Sequence, residues 1–143
     1  MSAEQAPCFV DTNVLVYAFE KGGSPKKETA KRLITELMDT DRLRLSTQVV
    51  QELFVILTRK AAVHCTGEEA LGVLEDLAAW PLTVVDFPVI RAAAGLAGKA
   101  MLSFWDSLVV ISAAKSGSAV LYTEDLNDGQ EILGVRVTNP FTA

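Results

Sequence analysis

Apolar residues recur along this chain at two spacings, and the switches between them mark out the elements. Cys8-Phe9-Val10 is a short apolar run that stops at Asp11 and predicts a buried strand. Residues 12–19 then carry Val14, Leu15, Tyr17, Ala18 and Phe19, a short and nearly all-apolar helix that Lys21-Gly22-Gly23-Ser24-Pro25 breaks. Residues 26–38 set Ala30, Leu33, Ile34, Leu37 and Met38 on one helical stripe, opposite Lys27, Glu28 and Lys31. Leu43-Arg44-Leu45 predicts a second strand, and Val49, Val50, Leu53, Phe54 and Leu57 return to helical spacing over residues 47–60. Thr66-Gly67-Glu68-Glu69 has the T-x-x-E capping pattern and opens a helix expected to reach Trp80, before Pro81 stops it. Residues 82–85 read as a third strand, Pro88 suits the first turn of a helix to Lys99, and residues 104–115 form another helix. Strands at residues 119–122 and 135–137 complete the pattern.

Short strands separated by helix-length segments predict βαβ units. Each crossover brings its own helix, so the sheet is expected to be parallel and covered on both faces, an α/β chain. No repeat, low-complexity tract or long linker interrupts it, so residues 1–143 read as a single domain. In such sheets ligands bind beyond the carboxyl ends of the strands, which says where to look for chemistry.

Composition narrows the function classes. Of 143 residues, 50% are hydrophobic and 22% charged, a globular balance. Lys+Arg is 13 against 18 Asp+Glu, a net charge of −5, which argues against a protein that coats DNA through a broad basic surface. The longest uncharged apolar run, residues 107–114, is far shorter than the roughly 18–20 residues of a membrane span. Residues 1–7 lack the basic start and apolar stretch of a secretory leader. Cys8 and Cys65 form no CxxC and are too few for a disulfide scaffold or thiolate zinc site. A soluble cytoplasmic domain with no membrane contact is expected.

Acids then stand out at the predicted strand ends. Asp11 follows the first strand, Glu52 lies in the helix after the second, Asp106 opens the helix after Phe104-Trp105, and Glu124, Asp125 and Asp128 follow the strand ending at Tyr122. Each has an ordinary structural role open to it. Asp11-Thr12-Asn13 are all good helix N-caps, Ser103-x-x-Asp106 fits a capping box, Glu52 could pair with a Lys or Arg, and the late acids could form a solvated turn. Jointly they say more. Four segments deliver carboxylates to one end of a parallel sheet, and hard oxygen donors with a single histidine in the chain suit Mg²⁺ or Mn²⁺ rather than zinc. Such an ion orients and activates water and neutralises charge on a phosphodiester.

Five segments carry a family resemblance. They are Phe9-Val10-Asp11-Thr12-Asn13-Val14-Leu15, Ser46-Thr47-Gln48-Val49-Val50-Gln51-Glu52-Leu53, Leu102-Ser103-Phe104-Trp105-Asp106-Ser107-Leu108, Leu121-Tyr122-Thr123-Glu124-Asp125-Leu126 and Val137-Thr138-Asn139-Pro140-Phe141. In order and spacing, over nearly the whole chain, the sequence resembles PIN domains, and within them the VapC-like toxins of toxin–antitoxin pairs. The resemblance implies a three-layer α/β/α fold around a short parallel sheet and a Mg²⁺- or Mn²⁺-dependent endoribonuclease. It carries the acidic set onto Asp11, Glu52, Asp106 and Asp125, with Thr12 or Asn13 as a polar helper; at the fourth position Glu124 competes with Asp125, and otherwise stands as its outer neighbour. It also implies RNA as substrate, a cognate antitoxin and a homodimer, for which residues 102–105 and the helix after Thr66 are the candidate surfaces.

PIN domains also serve RNA processing without a toxin role. An Asp-dependent phosphatase commonly shows D-x-D after its first strand, where this chain has Asp11-Thr12-Asn13. A receiver-like domain wants a Lys after a late strand, where Thr123-Glu124-Asp125 stands instead. A noncatalytic binding module would need no divalent cation. His64 and Cys65 read as loop residues, Cys8 and Trp80 as packing, and Trp105 as a base-stacking or subunit-contact residue. Lys26, Lys27, Lys31, Arg32, Arg42, Arg44, Arg59 and Lys60 supply local positive charge. With the four proposed ligands set aside, 14 acids remain against 13 bases, so a low net charge is compatible with RNA binding.

Overall fold

The computed structural model describes residues 5–142; residues 1–4, part of the segment read above for a leader, and residue 143 lie outside it. The elements follow in the order β1 (Cys8–Val10), α1 (Thr12–Ala18), α2 (Pro25–Asp39), β2 (Leu43–Ser46), α3 (Thr47–Arg59), α4 (Gly67–Leu77), β3 (Leu82–Thr83), α5 (Phe87–Ala100), α6 (Phe104–Lys115), β4 (Val120–Tyr122), β5 (Glu131–Ile132) and β6 (Val135–Thr138). Every helix begins behind an Asp, Ser or Thr whose side chain accepts a backbone N–H of the first turn: Asp11, Ser24, Ser46, Thr66, Asp86 and Ser103. At α4 the exchange is reciprocal, Glu69 accepting the Thr66 N–H at 3.0 Å while Thr66 accepts that of Glu69 at 3.1 Å.

The strands form one sheet in the order β3-β2-β1-β4-β6-β5. All pairs are parallel except β5 with β6. Helices α1 to α4 pack together, α5 packs on α6, and the two layers flank the sheet in a PIN-like arrangement. The main core is built from Phe9, Leu15, Leu43, Leu45, Leu53 and Leu121, none more than 1% exposed. A smaller cluster of Val89, Ala93, Leu108 and Ile111 seals α5 against α6. Residues 107–113 of α6 are buried on every side, so its sequence is apolar without an amphipathic stripe. Among the described residues, no single helix is long and apolar enough to cross a membrane.

The structure departs from the sequence-based elements in three places. Strand β3 stops at Thr83, because the Val85 N–H leaves the sheet to bond Thr47 Oγ1 at 3.0 Å and Val84 turns outward. Helix α4 ends at Leu77 rather than Trp80, and Trp80 folds back half-buried against the core, its N–H donating to the Leu77 carbonyl. Strand β5 is antiparallel and too short to show an apolar run.

Strand β5 is joined to β6 through Leu133-Gly134, with φ of 52° and 78°. A two-residue hairpin loop with both φ positive is a turn that Asn or Gly enters easily and Leu does not. Replacing Leu133 by Asn is therefore expected to stabilise the protein by about 1 kcal/mol. Urea denaturation should show a higher midpoint at unchanged slope.

Candidate active site

The chain builds β2 and β3 on one side of β1, then returns to place β4 and β6 on the other. The carboxyl ends of β1 and β4 are therefore a topological switch point, where an open α/β sheet leaves a crevice. The Asp11 N–H donates to the Tyr122 carbonyl at 3.0 Å and holds the two strand ends together.

Asp11 is 6% exposed. Its Oδ1 accepts the Thr12 N–H at 2.8 Å and its Oδ2 accepts the Thr123 hydroxyl at 2.9 Å. The same carboxylate is thus the N-cap of α1 and the centre of the acidic network. Burial pushes its carboxyl up to about 6; the Thr123 and Thr12 donors oppose the rise, and the nearby Glu52 and Asp125 carboxylates add to it.

Two neighbours on α1 tie the other acids to it. The Thr12 hydroxyl donates to Glu52 Oε2 at 3.1 Å. The Asn13 amide donates to Asp125 Oδ2 at 3.0 Å and Thr123 Oγ1 at 3.1 Å, with a longer 3.4 Å contact to Asp11. Asn13 Oδ1 accepts the Glu124 N–H at 3.2 Å, which fixes which end of the amide faces the acids. Thr123 Oγ1 also accepts the Asp125 N–H at 3.1 Å, so its one donor and two acceptor positions are filled.

Glu52 does not pair with a Lys or Arg among the described residues. Instead Gln48, one helical turn earlier, donates to Glu52 Oε1 at 2.8 Å and reaches the Trp105 carbonyl at 3.5 Å. The Gln48 Oε1 is buried with no partner. Asp106 stands at the first turn of α6, its N–H donating to Ser103 Oγ at 3.0 Å, but the reciprocal half of the capping box does not form. Among the described residues its carboxylate accepts no hydrogen bond, so the network joins Asp11, Glu52 and Asp125 and leaves Asp106 at its border.

The three late acids separate clearly. Asp125 faces Asn13. Glu124 turns outward to Lys26 Nζ at 2.7 Å, and that lysine also reaches the Tyr17 hydroxyl and lies over the Tyr17 and Phe141 rings. Asp128 accepts the Asn139 N–H at 2.8 Å and belongs to the tail. His64 is exposed in a loop and Cys8 is buried in β1, its thiol pushed up by burial. The basic residues are dispersed: Lys26, Arg42 and Lys60 each pair with an acid, and Lys31 and Arg32 share their cleft with Glu28, Glu36 and Asp39. A groove of about 430 Å³, lined in part by Asn13, Val16, Tyr17, Ile56 and Arg59, opens beside the network.

Sequence reasoning gave Gln48 and Thr123 no role of their own and read Lys26 only as local positive charge. Gln48 had a signal in its four-residue spacing from Glu52 on one helix. The Lys26 contact with Glu124 had none.

The donor set fits a hard divalent cation. It is all oxygen, it gathers acids from three segments, and its buried member is destabilised as an anion by burial first and by its acidic neighbours second. Among the described residues, no three Asp, Glu, His or Cys side chains are placed so that they could hold an ion as they stand. Mutually repelling carboxylates are instead held by Thr12, Asn13 and Gln48.

The family model for the PIN domain matches residues 8–127. No curated protein sequence is significantly similar to this chain. Among solved structures, a sarcin–ricin loop cleaving toxin, VapC20 of Mycobacterium tuberculosis, aligns with a TM-score of 0.67 at 21% identity, covering 82% of this chain and 89% of its own. A toxin–antitoxin complex from Klebsiella pneumoniae gives 0.70 at 17% identity, covering 95% and 99%. VapBC2 from Rickettsia felis, bound to a promoter DNA fragment, gives 0.64 at 16%, covering 92% and 97%. At these identities the likeness is one of fold.

Asp11 generates a prediction for metal-free protein. Between an ordinary carboxyl value near 4 and its own of about 6, the folded chain holds a proton that the unfolded chain has lost, so stability falls as pH rises through that window. Asp11→Asn removes the charge and is expected to stabilise metal-free protein at pH 7.5, by on the order of 2 kcal/mol. Thermal melts in EDTA should show that gain shrinking below about pH 4, where Asp11 is protonated in both states.

Proposed function

The chain belongs to the PIN domain family, and from that premise we propose that it is a metal-dependent endoribonuclease acting as the toxin of a toxin–antitoxin pair. The observation that carries the reading is the bonding of Thr12 and Asn13 to acids from three separate segments: Asp11 after β1, Glu52 on α3 and Asp125 after β4. Asp11, Glu52, Asp106 and Asp125 would hold a Mg²⁺ or Mn²⁺ ion. When bound, that ion supplies activation of a water and neutralises charge on the phosphodiester.

The chain's own residues provide positioning. Thr12 and Gln48 each bond one oxygen of Glu52, which fixes its carboxylate plane. Asn13 bridges Asp125 and the Glu124 backbone, so the loop after β4 is held to α1. Lys26 draws the Glu124 side chain away and leaves Asp125 as the acid that faces Asn13. Water oxygen forms a bond to phosphorus as the bond to the departing ester oxygen breaks on the opposite side, and that oxygen leaves protonated.

The toxin role is favoured by the resemblance of the fold to toxin–antitoxin structures. An antitoxin segment covering the crevice and a homodimer belong to the same reading. For self-association, Leu102 and Phe104 of the expected apolar run pack inward, while Trp105 of that run and Leu71 of α4 stay exposed as the candidate contacts. Expression should arrest growth, and light scattering at micromolar concentration should give twice the chain mass; a monomer would count against the dimer.

EDTA is expected to abolish cleavage of cellular RNA by purified protein, and Mn²⁺ or Mg²⁺ to restore it; cleavage that survives EDTA would overturn the metal mechanism. Asp125→Asn should weaken calorimetric Mn²⁺ binding more than Glu124→Gln, with Asp128→Asn mildest and Asp11→Asn and Asp106→Asn at least as severe as Asp125→Asn. Asn13→Ala, removing a group that orients Asp125, should cost roughly 10- to 100-fold in metal affinity. If Glu124→Gln abolishes binding while Asp125→Asn keeps it, the fourth acid is Glu124.

A further inference from the structure

One aromatic residue beside the acidic network is left unused by the proposed reaction. Trp105 is 64% exposed, although indole rings of this size are among the most buried side chains on average. It occupies the first turn of α6, immediately before Asp106. The ring is not loose. It meets Phe104 edge to face, with centroids 5.3 Å apart and planes at 71°, and Phe104 is itself packed on the cluster between α5 and α6. Its backbone carbonyl lies 3.5 Å from the Gln48 amide, which also bonds Glu52. The exposed indole is therefore registered to the acidic site through one side chain.

Helix α3 runs on from Gln48, the residue that meets the Trp105 carbonyl. Glu52 follows Gln48 by four residues, and with Gln51, Val55 and Ile56 it borders a shallow hollow of about 330 Å³. Val55 and Ile56 continue into the larger groove, which Arg59 and Lys60 also line. At a rise of 1.5 Å per residue, Gln48 and Arg59 are about 16 Å apart along the axis. Arg59 pairs with no acid among the described residues. An aromatic face at one end, carboxylates next to it, apolar side chains along the middle and a cation at the far end match what a single nucleic-acid strand requires: stacking for bases and positive charge for backbone.

We propose that Trp105 is a stacking platform for an unpaired nucleobase flanking the cleaved bond, with the strand running along α3 toward Arg59. The proposal rests on the ribonuclease reading and deepens it, since it assigns a base-binding residue and a path for the bound strand. Stacking uses the π-face that every base has, so the subsite contributes affinity with little sequence preference. Trp105 then acts as uniform binding, which appears in KM rather than kcat.

The test uses the full chain and a randomised single-stranded RNA 20-mer carrying a fluorophore. Binding is followed by anisotropy in EDTA, indole fluorescence is followed as RNA is added, and cleavage of the same pool is measured with Mn²⁺. Trp105→Ala is expected to weaken binding and raise KM by roughly 5- to 150-fold with kcat nearly unchanged, and to remove most of the quenching by RNA. Trp105→Phe and Trp105→Tyr should recover most of the affinity, which distinguishes a ring that stacks from one that only supports the fold. Arg59→Ala should flatten the dependence of log affinity on log salt by about one unit. Trp105→Ala binding as tightly as wild type, or Phe and Tyr failing as badly as Ala, would overturn the subsite while leaving ribonuclease activity in place. A shift from dimer to monomer on Trp105→Ala would assign the ring to a subunit contact and overturn it likewise. Wild-type protein that neither binds nor cuts the pool would instead overturn the ribonuclease reading, and the subsite with it.

Discussion

A carboxylate at the end of a central strand has little water to solvate it, so the surrounding chain must supply donors or a cation. Isolated burial of such a charge costs several kcal/mol. Asp11 is in that position because β1 runs through the middle of the sheet and its last apolar residue, Val10, is fully buried. The Thr12 N–H, the Thr123 hydroxyl and the long Asn13 contact offset part of the cost. The remainder appears as a carboxyl value raised to about 6, with Glu52 and Asp125 contributing to the rise. Much of the site's architecture follows from this one requirement. Thr123 is available only because β4 lies beside β1, and Asn13 reaches Asp125 only because the loop after β4 crosses the start of α1.

Structural and chemical roles share atoms here. Asp11 caps α1 with the same carboxylate that lies at the centre of the acidic network. Ser46 caps α3, Thr47 next to it receives the Val85 N–H and so ends β3, and Gln48 after that connects Glu52 to α6. Three consecutive residues therefore set a helix start, a strand end and the orientation of an acid. The same economy explains why Ser103 caps α6 while the Asp106 carboxylate stays free of the cap. Asking whether one of these residues is structural or functional has a single answer at most of these positions: the fold holds the acids by using them.

Local structure was the readable part of the chain. Helix starts followed from Asp11, Thr66 and Ser103, and α6 begins and ends where its apolar run does, because caps and periodicity act within a few residues. The parallel order and the position of the crevice also followed, since alternating short strands and helices leave few topologies. The acids at the strand ends were visible for the same reason. Among the late acids, Asp128 stands apart by its distance past the strand end, whereas the preference for Asp125 over Glu124 came from resemblance and a shorter side chain.

What only the tertiary structure decided lies in contacts between distant positions. Asn13 meets Asp125 across 112 residues, Thr12 meets Glu52 across 40, and Lys26 meets Glu124 across 98. Nothing in either partner's neighbourhood announces such a meeting. Lys26 reads as one more charge on a solvated helix until β4 is in place and its loop brings Glu124 within 2.7 Å. The exposure of Trp105 is of the same kind. Phe104 and Trp105 look alike in sequence, and it is the packing of α5 on α6 that buries the first ring and leaves the second open beside the acids. Periodicity tells a residue which element it joins; only the packed sheet tells it what it faces.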